Sequence, residues 1–477
     1  MGVSSQQKAR RFLFKRKDKT RGENEMGSLE ETLDKIGGIV WGPPLLILLV
    51  GTGIFLTFKL GLIQLRLLPY ALKLVFTKNQ DKKSEGDISH FQALMTAMAA
   101  TVGVGNIVGV ATAVVLGGPG AIFWMWMAGF FGMATKYGEA ILAVKYRVKD
   151  ANGQMAGGPM YYLEHGLKQK WLGVLFAIFG ALAAFGIGNG TQSKAVADVM
   201  SQTFSVPHWI TGVVLMVLAG AVILGGIKTI GRVTSFFVPI MALFYIIAGA
   251  IVMIMNISLV PEAFAMIFKF AFTGEAAVGG SIGAAIRFGV ARGLFSNEAG
   301  LGSAPIAAAA AKTDMPGRQA LVSMTQVLFD TLVICSITGV TIVMSGQWKD
   351  TSIEAGALTA AAFGTFLGDA GPIVVAIGLI FFATSTIFGW GYYGEKCFQY
   401  LFPNPTAVKI YRIAFVLFII VGATASLNVI WSLADVLNGL MAIPNLIGLL
   451  GLSGVIIFET KRVQAKIKEE KEEAKRA

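Results

Sequence analysis

Two short stretches combine residue types that can hold ions and carboxylates through the backbone itself. The first is Thr101-Val102-Gly103-Val104-Gly105-Asn106, followed by Gly109. The second is Gly293-Leu294-Phe295-Ser296-Asn297-Glu298-Ala299-Gly300, followed by Gly302 and Pro305. Each lies inside an apolar run, and glycine costs about 1 kcal/mol relative to alanine within a helix, so each run is weakest near its middle. A helix unwound there frees carbonyl oxygens, which suit a hard cation such as Na⁺. It also frees N–H groups at the start of a half-helix, which suit a carboxylate. Hydroxyls at Thr101, Ser296, Thr384, Ser385 and Thr386 add oxygen ligands without a buried charge. Such hydroxyls also commonly bond back to their own helix, and such glycines also serve close helix packing.

Other chemistry is missing. Gly226-Ile227-Lys228-Thr229 lacks the spacing of a phosphate loop, and Gly103, Gly105 and Gly109 do not fit a dinucleotide fingerprint. His90, His165 and His208 are scattered without metal-ligand spacing. An ATP-driven pump and a membrane hydrolase are therefore disfavoured. Ionisable residues inside apolar runs are expensive and are functional candidates by default. Lys136 with Glu139 and Lys194 with Asp198 have helical i,i+3 and i,i+4 spacing and are expected to neutralise each other. Arg287, Arg292, Glu298 and Asp330 lack such partners in sequence, and Glu298, beside Asn297, has two readings, binding an ion network or locking a broken helix, of which the second is favoured. The run Phe123-Trp124-Met125-Trp126 reads as helix packing.

The elements that must position these residues are membrane helices. Of the 477 residues, 55% are hydrophobic and only 14% charged, against about 25% charged in soluble domains. Segments 91–135 and 233–261 contain no Asp, Glu, Lys or Arg, and about 20 apolar residues span a bilayer. This excludes a water-soluble enzyme, a disordered chain and a nucleic-acid module, despite the net charge of +12. Cys335 and Cys397 sit in apolar stretches and imply no disulfide framework.

Hydropathy gives about eleven spans: 38–58, 91–116, 120–145, 171–200, 209–227, 231–256, 281–312, 318–345, 371–398, 409–428 and 431–458. Segment 60–76 reads as an amphipathic helix lying on the interface. Residues 1–37 form a basic N-terminal tail, 38–458 the membrane domain, and 459–477 a charged, solvated helical tail. In both weak spans an Asn precedes a Gly by three residues, and a Pro-Gly pair opens the next helix (Pro119-Gly120, Pro316-Gly317). Repeats of about five spans starting at 91 and 281 (91–256 and 281–458) then match in opposite orientation, with 38–58 left over. That is the inverted-repeat pattern of secondary transporters.

Lys and Arg crowd loops 59–87, 145–170, 228–232, 312–318 and 396–412 and the C-terminal tail, while the opposite loops hold little beyond Lys269 and Lys349. The first set is expected to be cytoplasmic. An odd number of spans then places the basic N-terminus outside, its charge partly balanced by acids such as Glu23, Glu25, Glu30 and Glu31.

Segment 117–126 (GGPGAIFWMW) resembles the signature of the alanine or glycine:cation symporter family, and 293–305 (GLFSNEAGLGSAP) and 103–113 (GVGNIVGVATA) agree with it. The resemblance covers the chain from about residue 41 to 458. It implies an all-α, leucine-transporter-like 5+5 inverted repeat plus one extra N-terminal helix. It also implies Na⁺-coupled uptake of alanine or glycine across the cell membrane, with Na⁺ as coupling ion and no cofactor or nucleic-acid partner. By that match, backbone groups at Val104 and Gly105 face the substrate carboxylate, and Phe295 takes a gate position beside Ser296 and Asn297. Gln192 and Trp390 line the pocket with Thr101, while Ser296 and Asn106 stand where a second cation or the pocket would be. Carbonyls of Ala99 and Val102 meet hydroxyls of Thr384, Ser385 or Thr386 around Na⁺. Ala308 departs from the family pattern, where His is expected. Another small amino acid, coupling to H⁺, or a passive channel or sensor on the same helices are the competing readings. A channel needs a continuous polar path, whereas the polar groups here gather at mid-span.

Overall fold

A computed structural model describes residues 21–77, 84–273, 282–425 and 428–476. The protein is an all-α, multi-pass membrane protein. Among the described residues, seven helices are long and apolar enough to cross a bilayer, and an eighth is counted when His90–Thr101 and Gly105–Gly117, bent by 56° at their break, are taken as one span. Gly120–Lys145 has 26 residues, roughly 39 Å of helix, and buries the charged side chains of Lys136 and Glu139. Lipid-facing stripes are explicit in the exposure pattern. Along Gly226–Met255, Ile240, Leu243, Ile247, Ile251 and Ile254 are all exposed at helical spacing, as a bilayer-facing surface requires.

Among the described residues the only strands form a hairpin, Val148–Lys149 against Met155–Ala156, closed by Asp150 accepting from the Asn152 and Gln154 amides at 2.9 Å.

Both weak spans break. Val102 is extended (φ −76°, ψ 94°) between the half-helices of the first. In the second, Ile282–Asn297 and Pro305–Ala309 are separated by a segment in which Glu298 (φ 56°), Gly300 (φ 88°) and Gly302 (φ 85°) take left-handed backbone. Glycine adopts that conformation readily; glutamate does not.

Several boundaries differ from the sequence reading. The N-terminal segment is helical from Arg21 to Val40, running through Gly37-Gly38, and Trp41 Nε1 donates to the Asp435 carbonyl at 2.9 Å. Helices Leu259–Thr273 and Ala355–Leu367 occupy stretches assigned to loops. At 15 and 13 residues they are too short to span, so a span-length criterion passes over them. Within 60–76, short helices at Ile63–Arg66 and Leu68–Phe76 are present, as expected, but Ala71, Leu74 and Val75 are buried and the second helix packs on Pro316–Val327. The tail helix Ser453–Arg476 is docked rather than free in solvent. Val463 and Ile467 are buried, Glu459 pairs with Lys145 at 2.7 Å, and Glu470 pairs with Arg318 and accepts from Tyr70.

Candidate functional site

The first break is held by its own side chains. Asn106 Oδ1 accepts from the Gly103 amide at 2.9 Å, and Gln192 Oε1 accepts from the Val104 amide at 3.3 Å. Gln192 is itself fixed by donating to the Ile187 carbonyl at 3.0 Å. The carbonyls that the break exposes meet the long helix Ala370–Leu401. Ser385 Oγ lies 3.2 Å from the Ala99 oxygen and 3.5 Å from that of Val102; Thr386 Oγ1 lies 3.3 Å from the Val102 oxygen. All four residues are buried. Thr384, also buried, does not reach these carbonyls. Neutral oxygens from two chain segments thus converge without a carboxylate, a donor set that suits a hard monovalent cation. The fit is tight: a Cβ on Gly103 would lie 2.5 Å from Thr386 Oγ1 and 3.2 Å from Gln192 Oε1.

The second break is held by charge. Lys136 Nζ donates to the Glu298 carbonyl at 3.0 Å, and Glu139 Oε1 accepts from the Gly300 and Gly302 amides at 3.1 Å and from Asn445 Nδ2 at 2.7 Å. Lys136 and Glu139 stand 4.0 Å apart, so this pair does more than neutralise itself. Each member satisfies backbone groups that the break leaves without helical partners. Glu298 does span the break, its Oε2 accepting from Ser303 Oγ at 2.5 Å, and its Oε1 accepts from Trp390 Nε1 at 2.9 Å. Lys194 and Asp198 pair as expected, with His208 Nε2 also 2.9 Å from Asp198.

Asp330, without a partner in the sequence pattern, is surrounded by neutral donors: Asn106 Nδ2 at 2.7 Å, Ser296 Oγ at 3.0 Å and Thr331 Oγ1 at 2.9 Å. It links the two breaks from a third helix. Asn297 is spent locally, donating to Thr331 Oγ1 at 3.0 Å and accepting from the Ala299 amide at 2.9 Å.

Between the breaks lies a small cavity. Of the residues singled out in the sequence, Thr101, Gly105, Gln192, Phe295, Thr386 and Trp390 line it; Val104 and Asn297 do not. Ala100, Gly103, Ile187 and Glu298 complete the wall. The Thr101 hydroxyl bonds back to the Ala97 carbonyl at 3.2 Å and accepts from Gln326 at 3.0 Å. Sequence reasoning placed Glu298 at the break but missed its second face toward the cavity. The only local signal was a carboxylate between the two glycine-rich halves.

At the end where the basic loops gather, polar contacts tie several segments together. The Ile88 carbonyl accepts from the Lys312 amide at 2.7 Å, joining the approaches to both broken spans. Arg147 donates to the carbonyls of Ala309, Ala311 and Glu85 at 3.0, 2.7 and 2.9 Å. Asp150 pairs with Lys396 at 2.9 Å, both buried. Burial pushes the Asp150 carboxyl up, but the hydrogen bond and charge of Lys396 outweigh it and hold the group below its ordinary range.

A family model described as the sodium:alanine symporter family matches residues 26–477. The chain is 60% identical over 436 residues to the sodium/alanine symporter AgcS of Methanococcus maripaludis, covering 90% of this chain and 96% of that protein. It is 52% identical to an uncharacterized transporter of Haemophilus influenzae, covering 91% and 96% respectively. It is 39% identical to the probable sodium/glutamine symporter GlnT of Bacillus subtilis, covering 91% of each.

Proposed function

The chain belongs to the sodium:alanine symporter family, and from that premise we propose that it couples inward flow of Na⁺ to uptake of alanine, glycine or both. It is a transporter and not an enzyme. The observation that carries the proposal is the convergence of the Ala99 and Val102 carbonyls with the Ser385 and Thr386 hydroxyls, on the same broken segment whose glycines line the cavity.

Na⁺ at those oxygens would fix the break. The half-helix that follows would then present its N-terminal amides, Gly105 in the first turn, to the substrate carboxylate. Binding at each site thereby favours the same backbone arrangement, which is the requirement for coupling. Phe295 and Trp390 wall the cavity, and two groups of that bulk suit a side chain no larger than a methyl. Relatives whose names specify alanine and glutamine share this family, so the wall residues, not the backbone, carry the choice of side chain.

The two breaks support a 5+5 inverted repeat over 91–256 and 281–458, preceded by an extra helix. The basic loops support a cytoplasmic C-terminus and an extracellular N-terminus in the cell membrane.

Uptake of labelled alanine into proteoliposomes, under imposed Na⁺ and H⁺ gradients in turn, tests the proposal. Accumulation is expected with the Na⁺ gradient alone. Accumulation driven equally by H⁺ without Na⁺ would overturn it.

A further inference from the structure

Glu298 has a role that locking the break does not explain. Its side chain lines the cavity, and no other lining residue carries a charge. Trp390 and Ser303 donate one hydrogen bond to each of its oxygens, leaving about half of a carboxylate's acceptor capacity free. Among the described residues no Lys, Arg or His forms an ion pair with it. The buried Lys136 instead donates to the Glu298 backbone carbonyl at 3.0 Å and stands 4.0 Å from Glu139.

Lys136 exerts its charge on the Glu298 carboxylate without forming an ion pair with it, and a buried carboxylate with no directly paired cation is expensive. A lock alone does not need one, because glutamine has the same length, accepts from Trp390 through its carbonyl and donates to Ser303 through its amide. A zwitterionic substrate supplies what is missing. Its carboxylate is served by the half-helix amides at Gly105, and its ammonium then needs an anion on the opposite break.

We propose that the Glu298 carboxylate binds the α-ammonium of the transported amino acid and makes the site selective for a free amine. This rests on the small-amino-acid reading given above. Glu298 then joins the second break to the substrate, as Ala99 and Val102 join the first break to the cation. Trp390 orients the carboxylate by donating to Oε1 while walling the pocket.

The test compares the unaltered protein with Glu298→Gln in proteoliposomes. Alanine uptake is measured together with ²²Na⁺ binding in the absence of alanine. Glu298→Gln is expected to raise the alanine concentration for half-maximal uptake by roughly 10- to 100-fold, the range for a hydrogen bond to a charged group. Its ²²Na⁺ binding is expected to stay within about threefold. Unchanged alanine affinity, or equal loss of alanine and Na⁺ binding, overturns the inference and leaves Glu298 a structural lock.

A second measurement needs no variant. In the unaltered protein, propionate, which keeps the carboxylate and methyl but lacks the amine, is expected to compete with alanine at least about 10-fold more weakly than glycine does. Propionate competing as well as glycine overturns the inference even if Glu298→Gln does not fold. Absence of any Na⁺-dependent alanine uptake by the unaltered protein would instead overturn the transport reading beneath it.

Discussion

Gly103 is where the proposed cation site and the cavity come closest, so adding one methyl there is a sharp perturbation. A Cβ at this position would lie 2.5 Å from Thr386 Oγ1 and 3.2 Å from Gln192 Oε1. Neither neighbour can yield cheaply. Thr386 is β-branched and bonded to the carbonyls of Val102 at 3.3 Å and Phe382 at 3.0 Å, and Gln192 is held by the Ile187 carbonyl at 3.0 Å. Overpacking of this kind costs about 1–3 kcal/mol. Taken from the cation-bound arrangement, that is roughly a 5- to 150-fold rise in the Na⁺ concentration for half-saturation. The assay is ²²Na⁺ binding to purified Gly103→Ala, with circular dichroism to establish that the helices are intact. Because the shortest contact is with Thr386 Oγ1, the effect of Gly103→Ala should shrink in a Thr386→Ala background to what the 3.2 Å contact with Gln192 leaves, the non-additivity expected of touching residues. Wild-type Na⁺ affinity in Gly103→Ala, or full additivity with Thr386→Ala, would refute the placement of the cation against Thr386.

Ser385→Ala and Thr386→Ala should each raise the Na⁺ concentration needed for half-maximal uptake by roughly 5- to 10-fold, the loss of one hydrogen-bonding ligand. Thr384→Ala should not, since that hydroxyl does not reach the Ala99 and Val102 carbonyls. Phe295→Ala or Trp390→Ala should let leucine compete with alanine for uptake, whereas leucine should compete poorly in the unaltered protein. Trp390→Ala should also weaken alanine itself, through the lost donor to Glu298 at 2.9 Å. Lys149→Cys should resist an impermeant thiol reagent added outside intact cells; labelling from outside would reverse the proposed orientation.

The two breaks were legible in the sequence because several glycines cluster in mid-span, where each carries a backbone cost. The repeated spacing of Asn106 to Gly109 and Asn297 to Gly300 marked them as related. Their stabilisers were less visible. Helical spacing linked Lys136 to Glu139, but their closer partners lie 161 to 163 residues away or more, at Glu298, Gly300, Gly302 and Asn445. Nothing local announces such contacts. Asp330 illustrates the same limit: three neutral donors gather around it, two of them from the broken spans. The short helices Leu259–Thr273 and Ala355–Leu367 escaped because an apolar face of that length is neither a span nor a loop by composition. The docked C-terminal helix escaped because Val463 and Ile467 are sparse apolar positions amid charge.

The central claim is that one broken segment couples a cation to an amino acid, and ion flux measures this most directly. In proteoliposomes containing the unaltered protein, ²²Na⁺ entry should be stimulated by external alanine and saturate with alanine concentration. It should also keep a fixed ratio to alanine entry as the Na⁺ gradient is varied. Alanine entry that ignores the Na⁺ gradient, or ²²Na⁺ entry that proceeds at the same rate without alanine, would contradict the account.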